Sequence, residues 1–457
     1  METKKAVKLG FVTVASSSRV ANLSEEIKNT NMMINQFGNA RVARVDEIVT
    51  SWQQAEQAVE KLKQENIDLL LIQILTYAAD ELTVKIVNGI NVPLLLWGVP
   101  EPLLRGDIKS GGLVGYVQTA GVISKLGHDY KFLWGSPGDE KLIRDIKISL
   151  SAAEVLQKLR SSRIGLMGSR CPGMLDEAFH ELELTRIIGP EVVTVDLADL
   201  VDMIRKMNDA RVEEELVKAL KKHGELNGPT RAELAESLKI YLALKDIAED
   251  YSCQGMAVKC WPELMRANIM SPCLALSKLN DDGIMTACEG DVTAAATMLI
   301  LYYLTGRQVF LCDLFEMNEA DNSYFLYHCG AAPSKLAADI SEVKLHMHFR
   351  KYKPLDPMVL KPGVIADFSI KPGRVTFARL TEKQGKYRLL IMQGEAVPQE
   401  NIIGGNGMRV KMDGKVKEIL EKMVKEGIEH HQLLVHDNVK EELVELCRYL
   451  GIETVLI

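Results

Sequence analysis

The chain has 457 residues, of which 47% are apolar and 26% charged, with a net charge of −7. That length suits about two to four domains with full cores, and the composition is that of an ordinary globular protein. The negative balance excludes a nucleic-acid partner held through its phosphates, and no apolar run reaches membrane-spanning length. No long apolar stretch precedes the first strand, so a cytoplasmic protein without membrane contact is expected. Eight cysteines, at 171, 253, 260, 273, 288, 312, 329 and 447, include no C-x-x-C pair. They are expected as buried small hydrophobes, not as a zinc site or redox couple.

The N-terminal third alternates apolar strands with amphipathic helices. Strands are expected at 6–15, up to Val45, at 68–73 and at 93–97, with a helix over 51–65. Continuous apolar strands between helices predict a parallel sheet covered on both faces, a Rossmann-like domain over 1–158. No G-x-G-x-x-G follows the first strand, so dinucleotide binding is not expected. Gln73 and Trp97 lie at strand ends, where such sheets bind ligands. A Ser110-Gly111-Gly112 loop with Gln118 beyond it adds to that edge.

A second α/β series, over 159–342, begins with a strand at 163–168. It continues through 192–196, a charged helical stretch at 209–250, and a strand from Gly255 that Pro262 ends, leaving Lys259, Trp261 and Glu263 at its tip. The turn Glu289-Gly290-Asp291 then opens an apolar helix, Val292 to Leu304. A strand over Val309–Cys312 ends in Asp313, and another, Tyr324–Tyr327, ends at His328. From 343 to 457, short alternating segments with Gly and Pro turns predict an antiparallel β-barrel, closed by an α/β unit that carries His430 and His431. His346 and His348, two apart on a strand, could share a metal, but a polar outer face is the expectation.

Glu289, Asp313, His328 and one of His430 and His431 thus sit at the ends of core elements. Carboxylates with imidazoles and no thiolate suit a divalent ion such as Mn²⁺, Co²⁺ or Mg²⁺.

Several motifs are specific: KCWPEL at 259–264, ACEGDVTAAATM at 287–298, NEADN at 318–322, YHCG at 327–330 and GIEHH at 427–431. Through them the chain resembles the L-fucose isomerase and L-arabinose isomerase superfamily, in its fucose isomerase-like branch, over essentially its whole length. The resemblance implies two Rossmann-like domains, a barrel-containing C-terminal domain, and a Mn²⁺-dependent aldose–ketose isomerase working by enediol proton transfer. It implies Glu289 and Asp313 as metal ligands and catalytic groups, with His431 as third ligand. It places His328, His430, Trp261 and Lys259 near the sugar, with Gln73, Trp97 and Gln118 as pocket wall for a neighbour in a trimer or hexamer. L-Fucose or D-arabinose is the default substrate, and the sulfonated hexose sulfoquinovose the alternative. A sulfonate would need a cation, with Arg105, Arg170, Lys259 and Arg307 as candidates. The chain is shorter than typical fucose isomerases. A non-catalytic sugar sensor is the reading from another class.

Overall fold

The structure is a computed structural model that describes residues 7–37, 41–101, 108–223, 226, 228–348, 361–400 and 404–457. The chain divides into two compact units, Met1–Gln157 and Lys158–Ile457. Arg105 lies outside the described residues.

The first unit holds a five-stranded parallel sheet. Its strands are β1 (Lys8–Val14), β2 (Arg41–Arg44), β3 (Leu69–Ile74), β4 (Leu94–Gly98) and β5 (Lys131–Trp134), in the order β2-β1-β3-β4-β5. Every residue of β3 and β4 is buried, as expected for strands covered on both faces. Gln73 and Trp97 are both consumed inside this core. Thr13 Oγ1 donates to Gln73 Oε1 at 2.9 Å, and Gln73 Nε2 donates to Thr30 Oγ1 at 3.0 Å. Trp97 is fully buried and its Nε1 donates to the Gly135 carbonyl at 2.9 Å. Such pairing removes most of the penalty of burying these groups. Gln118 is half-buried on the helix Gly112–Lys125.

The second unit begins with a four-stranded parallel sheet: β6 (Arg163–Met167), β7 (Glu191–Val195), β8 (Gly255–Val258) and β9 (Met285–Ala287), in the order β7-β6-β8-β9. Its helix Arg231–Asp250 starts with a capping box, in which the Thr230 hydroxyl and the Glu233 carboxylate each accept the other's backbone N–H.

The rest is one nine-stranded mixed sheet. Its strands are β10 (Phe310–Asn318), β11 (Ser323–His328), β12 (Lys344–Met347), β13 (Val364–Ser369), β14 (Gly373–Lys383), β15 (Lys386–Val397), β16 (Asn406–Met412), β17 (His431–Val435) and β18 (Glu453–Leu456). They run in the order β12-β13-β16-β11-β10-β17-β14-β15-β18, and β15 also pairs with β16. The β15–β16 pairing closes β16-β11-β10-β17-β14-β15 into a ring whose neighbours all pair antiparallel, within a sheet larger than the C-terminal segment expected to form it. The sheet recruits β10 and β11 from before residue 343, and β13–β16 and β15–β18 pair in parallel. Alternation along a strand reveals which face is buried but not which strand lies beside it. Its core includes Phe310, Tyr324, Leu326, Phe377, Leu390, Met408, Val410 and Leu434.

The cysteines are buried apart from the half-buried Cys329, and none is in a disulfide. The shared polar face expected for His346 and His348 is not formed. β12 ends at Met347, so strand alternation stops there, and His348 turns inward to 6% exposure.

Candidate active site

The helix Val292–Thr305 is apolar around nearly its whole circumference and buried through most of its length, so its N-terminus is fixed rigidly. Asp291 caps it, its Oδ1 accepting from the Ala294 N–H at 2.8 Å and the Thr293 hydroxyl at 3.0 Å. The two residues before it make a tight left-handed turn, with Glu289 at φ 64° and Gly290 at φ 86°. A Cβ on Gly290 would meet the Ser169 carbonyl oxygen at 2.4 Å, so only glycine fits. The Cys171 N–H donates to the Glu289 carbonyl at 2.8 Å, fixing the turn against the residues after β6.

The imidazoles come from β17 and the residue before it. His431 is almost fully buried, with Nδ1 3.0 Å from Asp291 Oδ2 and Nε2 3.4 Å from Glu289 Oε2. His430 places Nδ1 2.7 Å from Asp176 Oδ2 and Nε2 3.5 Å from Glu289 Oε2. Asp313 lies directly across the β10–β17 ladder from His431, so the two neighbour each other on the sheet. The His328 ring, at the end of β11, lies 5.9 Å from that of His431.

Charges set the protonation of this group. Burial opposes ionisation of Glu289, but the His430 and His431 imidazoles hold its carboxyl well below the usual range. Burial likewise opposes Asp291, and Arg379 and His431 override it. Glu289, beside its ring, raises His430 to about 9 against burial, with Asp176 adding to it. Glu177 behaves differently: burial and the nearby Asp291 push it up to about 8. Its two carboxylate oxygens are buried without a hydrogen-bond partner, as is Asp313 Oδ1. Orphaned buried carboxylate oxygens mark a place that a cation would satisfy.

Beneath them lies a fully buried guanidinium. Arg379 of β14 sets Nη1 2.9 Å from Asp291 Oδ2 and Nε 3.3 Å from Glu429 Oε2, and Nη2 donates to Thr293 Oγ1 at 3.1 Å. Asp291 is thereby neutralised on one side while it orients His431 on the other.

Ligand atoms of Glu177, Glu289, His430 and His431 all lie within 4.8 Å of one another. Of the sequence-derived residues, Glu289, Asp313, His328, His430 and His431 thus gather at one place. Lys259 stands at the end of β8, where Nζ donates to Glu263 Oε1 at 2.9 Å and reaches Ser169 Oγ at 3.4 Å. The Trp261 carbonyl accepts from the Cys171 thiol at 3.1 Å. Gln73, Trp97 and Gln118 belong to the first unit. Of the candidate cations, the Arg170 backbone packs on Gly290, and Arg307 pairs with Asp437 at 3.2 Å.

Sequence reasoning missed Glu177, Asp176, Arg379 and Glu429, and read Asp291 only as part of an acidic turn. Asp291 and Glu429 lie within recognised motifs and could have been found there; Glu177 and Arg379 lie in no motif.

The family of the L-fucose isomerase C-terminal domain matches residues 326–457. Sulfoquinovose isomerases of Priestia aryabhattai and Priestia megaterium (strain ATCC 12872 / QMB1551) are each 29% identical over 410 residues, covering 90% of this chain and 90% of theirs. That of Alkalicoccus urumqiensis is 27% identical over 389 residues, covering 85% of this chain and 86% of its own. The chain belongs to the fucose isomerase-like superfamily. Within it, the protein is an enzyme, an aldose–ketose sugar isomerase.

Proposed function

We propose that the enzyme interconverts sulfoquinovose and its 2-ketose with the help of a divalent cation such as Mn²⁺. The observation that carries this reading is the convergence of Glu177, Glu289, His430 and His431, with Asp313 beside His431. Hard carboxylate oxygens with imidazole nitrogens fit Mn²⁺, Co²⁺ or Mg²⁺, and the unpartnered oxygens of Glu177 and Asp313 fit the same demand. Glu289, Asp313 and His431 would hold the ion, with Glu177 as a further carboxylate donor. When bound, it would polarise the sugar carbonyl and favour the enediol.

The chain's own groups do the proton work. One carboxylate of the Glu289–Asp313 pair takes the C2 proton and returns it to C1, while the O2 hydroxyl proton passes to O1. Such general-base help is worth roughly 10²–10⁴-fold. Asp291 holds the His431 Nδ1–H, so that Nε2 faces Glu289. His328, His430, Lys259 and Trp261 would orient sugar hydroxyls. The sulfonated substrate is favoured by the likeness to the Priestia and Alkalicoccus enzymes over most of both chains. Arg170, whose backbone packs on Gly290, is our candidate for the cation that reads the sulfonate. Assembly into trimers or hexamers, bringing Gln118 of one copy to another's pocket, belongs to the same reading, as does a cytoplasmic location; Gln73 and Trp97, buried in the core of the first unit, take no part in it.

The test is to strip the protein of metal and measure Mn²⁺ binding directly. Ketose formation is then assayed from sulfoquinovose, L-fucose, D-arabinose and L-arabinose. Stoichiometric binding with Mn²⁺-restored turnover of sulfoquinovose is expected. Turnover of L-fucose or D-arabinose instead would move the substrate to the neutral sugars. Neither binding nor turnover would overturn the proposal.

A further inference from the structure

A second cluster of ligand-type atoms lies behind His328. Cys273 is the first residue of the helix Cys273–Asp281, Cys329 follows β11, and His348 follows β12. Their Sγ and imidazole nitrogen atoms all lie within 4.8 Å of one another. Cys273 is 3% exposed and His348 6%, while Cys329 is half-buried. The Cys273 and Cys329 sulfurs are 3.8 Å apart. A tetrahedral zinc ion with Zn–S bonds of about 2.3 Å separates two thiolate ligands by about 3.8 Å, the edge of the tetrahedron. The thiol spacing therefore already matches a bound ion.

We propose that Cys273, Cys329 and His348 form a second cation site, for a thiophilic divalent ion such as Zn²⁺, distinct in chemistry from the carboxylate–imidazole cluster. The donor sets sort the ions: two sulfurs and an imidazole select a borderline-soft cation, whereas Glu289, Asp313 and His431 present oxygen and nitrogen. Cys273 sits where the free N–H groups of a helix start complement a thiolate. Binding would displace both thiol protons onto solvent as the two Zn–S bonds form, with no change in oxidation state.

A disulfide between the same two cysteines is the weaker alternative. Closing it would require an oxidant and would pull the two sulfurs from 3.8 Å to about 2.05 Å, whereas an ion needs neither. The site also touches the catalytic cluster, because the Cys329 sulfur lies 3.7 Å from His328 Nδ1. An ion here would tie the end of β11, and with it the His328 ring, to the start of the helix Cys273–Asp281. This inference does not depend on the sugar or on the metal of the catalytic cluster.

The experiment uses the full chain, first stripped of metal and saturated with Mn²⁺ to fill the oxygen–nitrogen cluster. It is then titrated with Co²⁺ as the spectroscopic probe, with circular dichroism to confirm folding. One equivalent of Co²⁺ should produce a thiolate-to-cobalt charge-transfer band that Zn²⁺ abolishes. Cys329→Ser should remove the band, His348→Gln should weaken Co²⁺ binding by roughly 10-fold or more, and Cys260→Ser/Cys288→Ser should leave both unchanged. If Cys273→Ser does not fold, the half-buried Cys329 and His348 variants carry the decision. No thiolate band in the parent protein, or a band that survives Cys329→Ser, overturns the proposal.

Discussion

Replacing Arg379 by Met should be among the most damaging single changes in the second unit. The guanidinium is fully buried and faces two buried carboxylates, Asp291 at 2.9 Å and Glu429 at 3.3 Å. Removing it strands Glu429 and takes one of the two cationic neighbours from Asp291. Glu429, already raised by burial against the pull of Arg379, should take a proton, while Asp291 keeps only His431 as a cationic neighbour. Breaking a buried ion pair from one side costs about 3–5 kcal/mol. The second unit spans Lys158–Ile457, and its size implies an unfolding entropy near 0.6 kcal/mol per kelvin, so the loss should lower its Tm by about 5–8 °C. Calorimetry or chemical denaturation measures this directly. Adding Glu429→Gln to Arg379→Met should recover part of the loss, because one stranded charge is then gone. A melting temperature for Arg379→Met within a degree of the parent protein would refute the view that this guanidinium neutralises the cluster.

Further expectations follow from individual residues. Glu289→Gln should abolish turnover while leaving the circular dichroism spectrum unchanged; retained activity would remove Glu289 from the chemistry. Asp291→Asn keeps an N-cap for the helix Val292–Thr305 but removes the charge that orients His431, so Mn²⁺ affinity should fall roughly 10–100-fold in a calorimetric titration. Burial lowers His436 to about 4 from 6.5, while its Nε2 donates to the Lys371 carbonyl at 2.8 Å. The unfolded chain therefore binds the extra proton first. The contribution is fully present above pH 6.5 and is lost as pH falls towards 4, by about 3 kcal/mol; His436→Gln should flatten that part of the stability profile. Arg170→Gln should raise KM for sulfoquinovose about 10-fold or more and leave neutral sugars unaffected; equal effects on both would detach Arg170 from the sulfonate.

Much of the carboxylate–histidine cluster was legible because its residues sit in local patterns. Glu289 and Asp291 lie in one turn at the mouth of an apolar helix, His328 ends a strand, and His430 and His431 adjoin each other; Asp313, expected at a strand end, lies inside β10, which runs on to Asn318. Local sequence also announced the parallel sheets, since β3 and β4 are continuous apolar runs that only a doubly covered strand would carry.

Arg379 shows where that legibility stopped. In the alternating segment around it, a charged residue reads as solvent-facing. In the structure the helix Val292–Thr305 covers that face of β14, with the Thr297 hydroxyl accepting the Leu380 N–H at 3.0 Å, and two carboxylates stabilise the buried charge. Glu177 arrives from a short 3₁₀ turn more than a hundred residues before Glu289, with nothing in its neighbourhood to mark it. Cys273, Cys329 and His348 likewise show no ligand spacing along the chain.

The sequence by itself determined the element types, the turn that aims Glu289 and the identity of the carboxylate–histidine pair, because these depend on residues within a few positions of one another. Only the tertiary structure decided the nine-strand order and the burial of Arg379 beneath Asp291. It also decided which distant side chains meet at one site, because strand neighbours and desolvated charges depend on contacts between residues far apart in the chain.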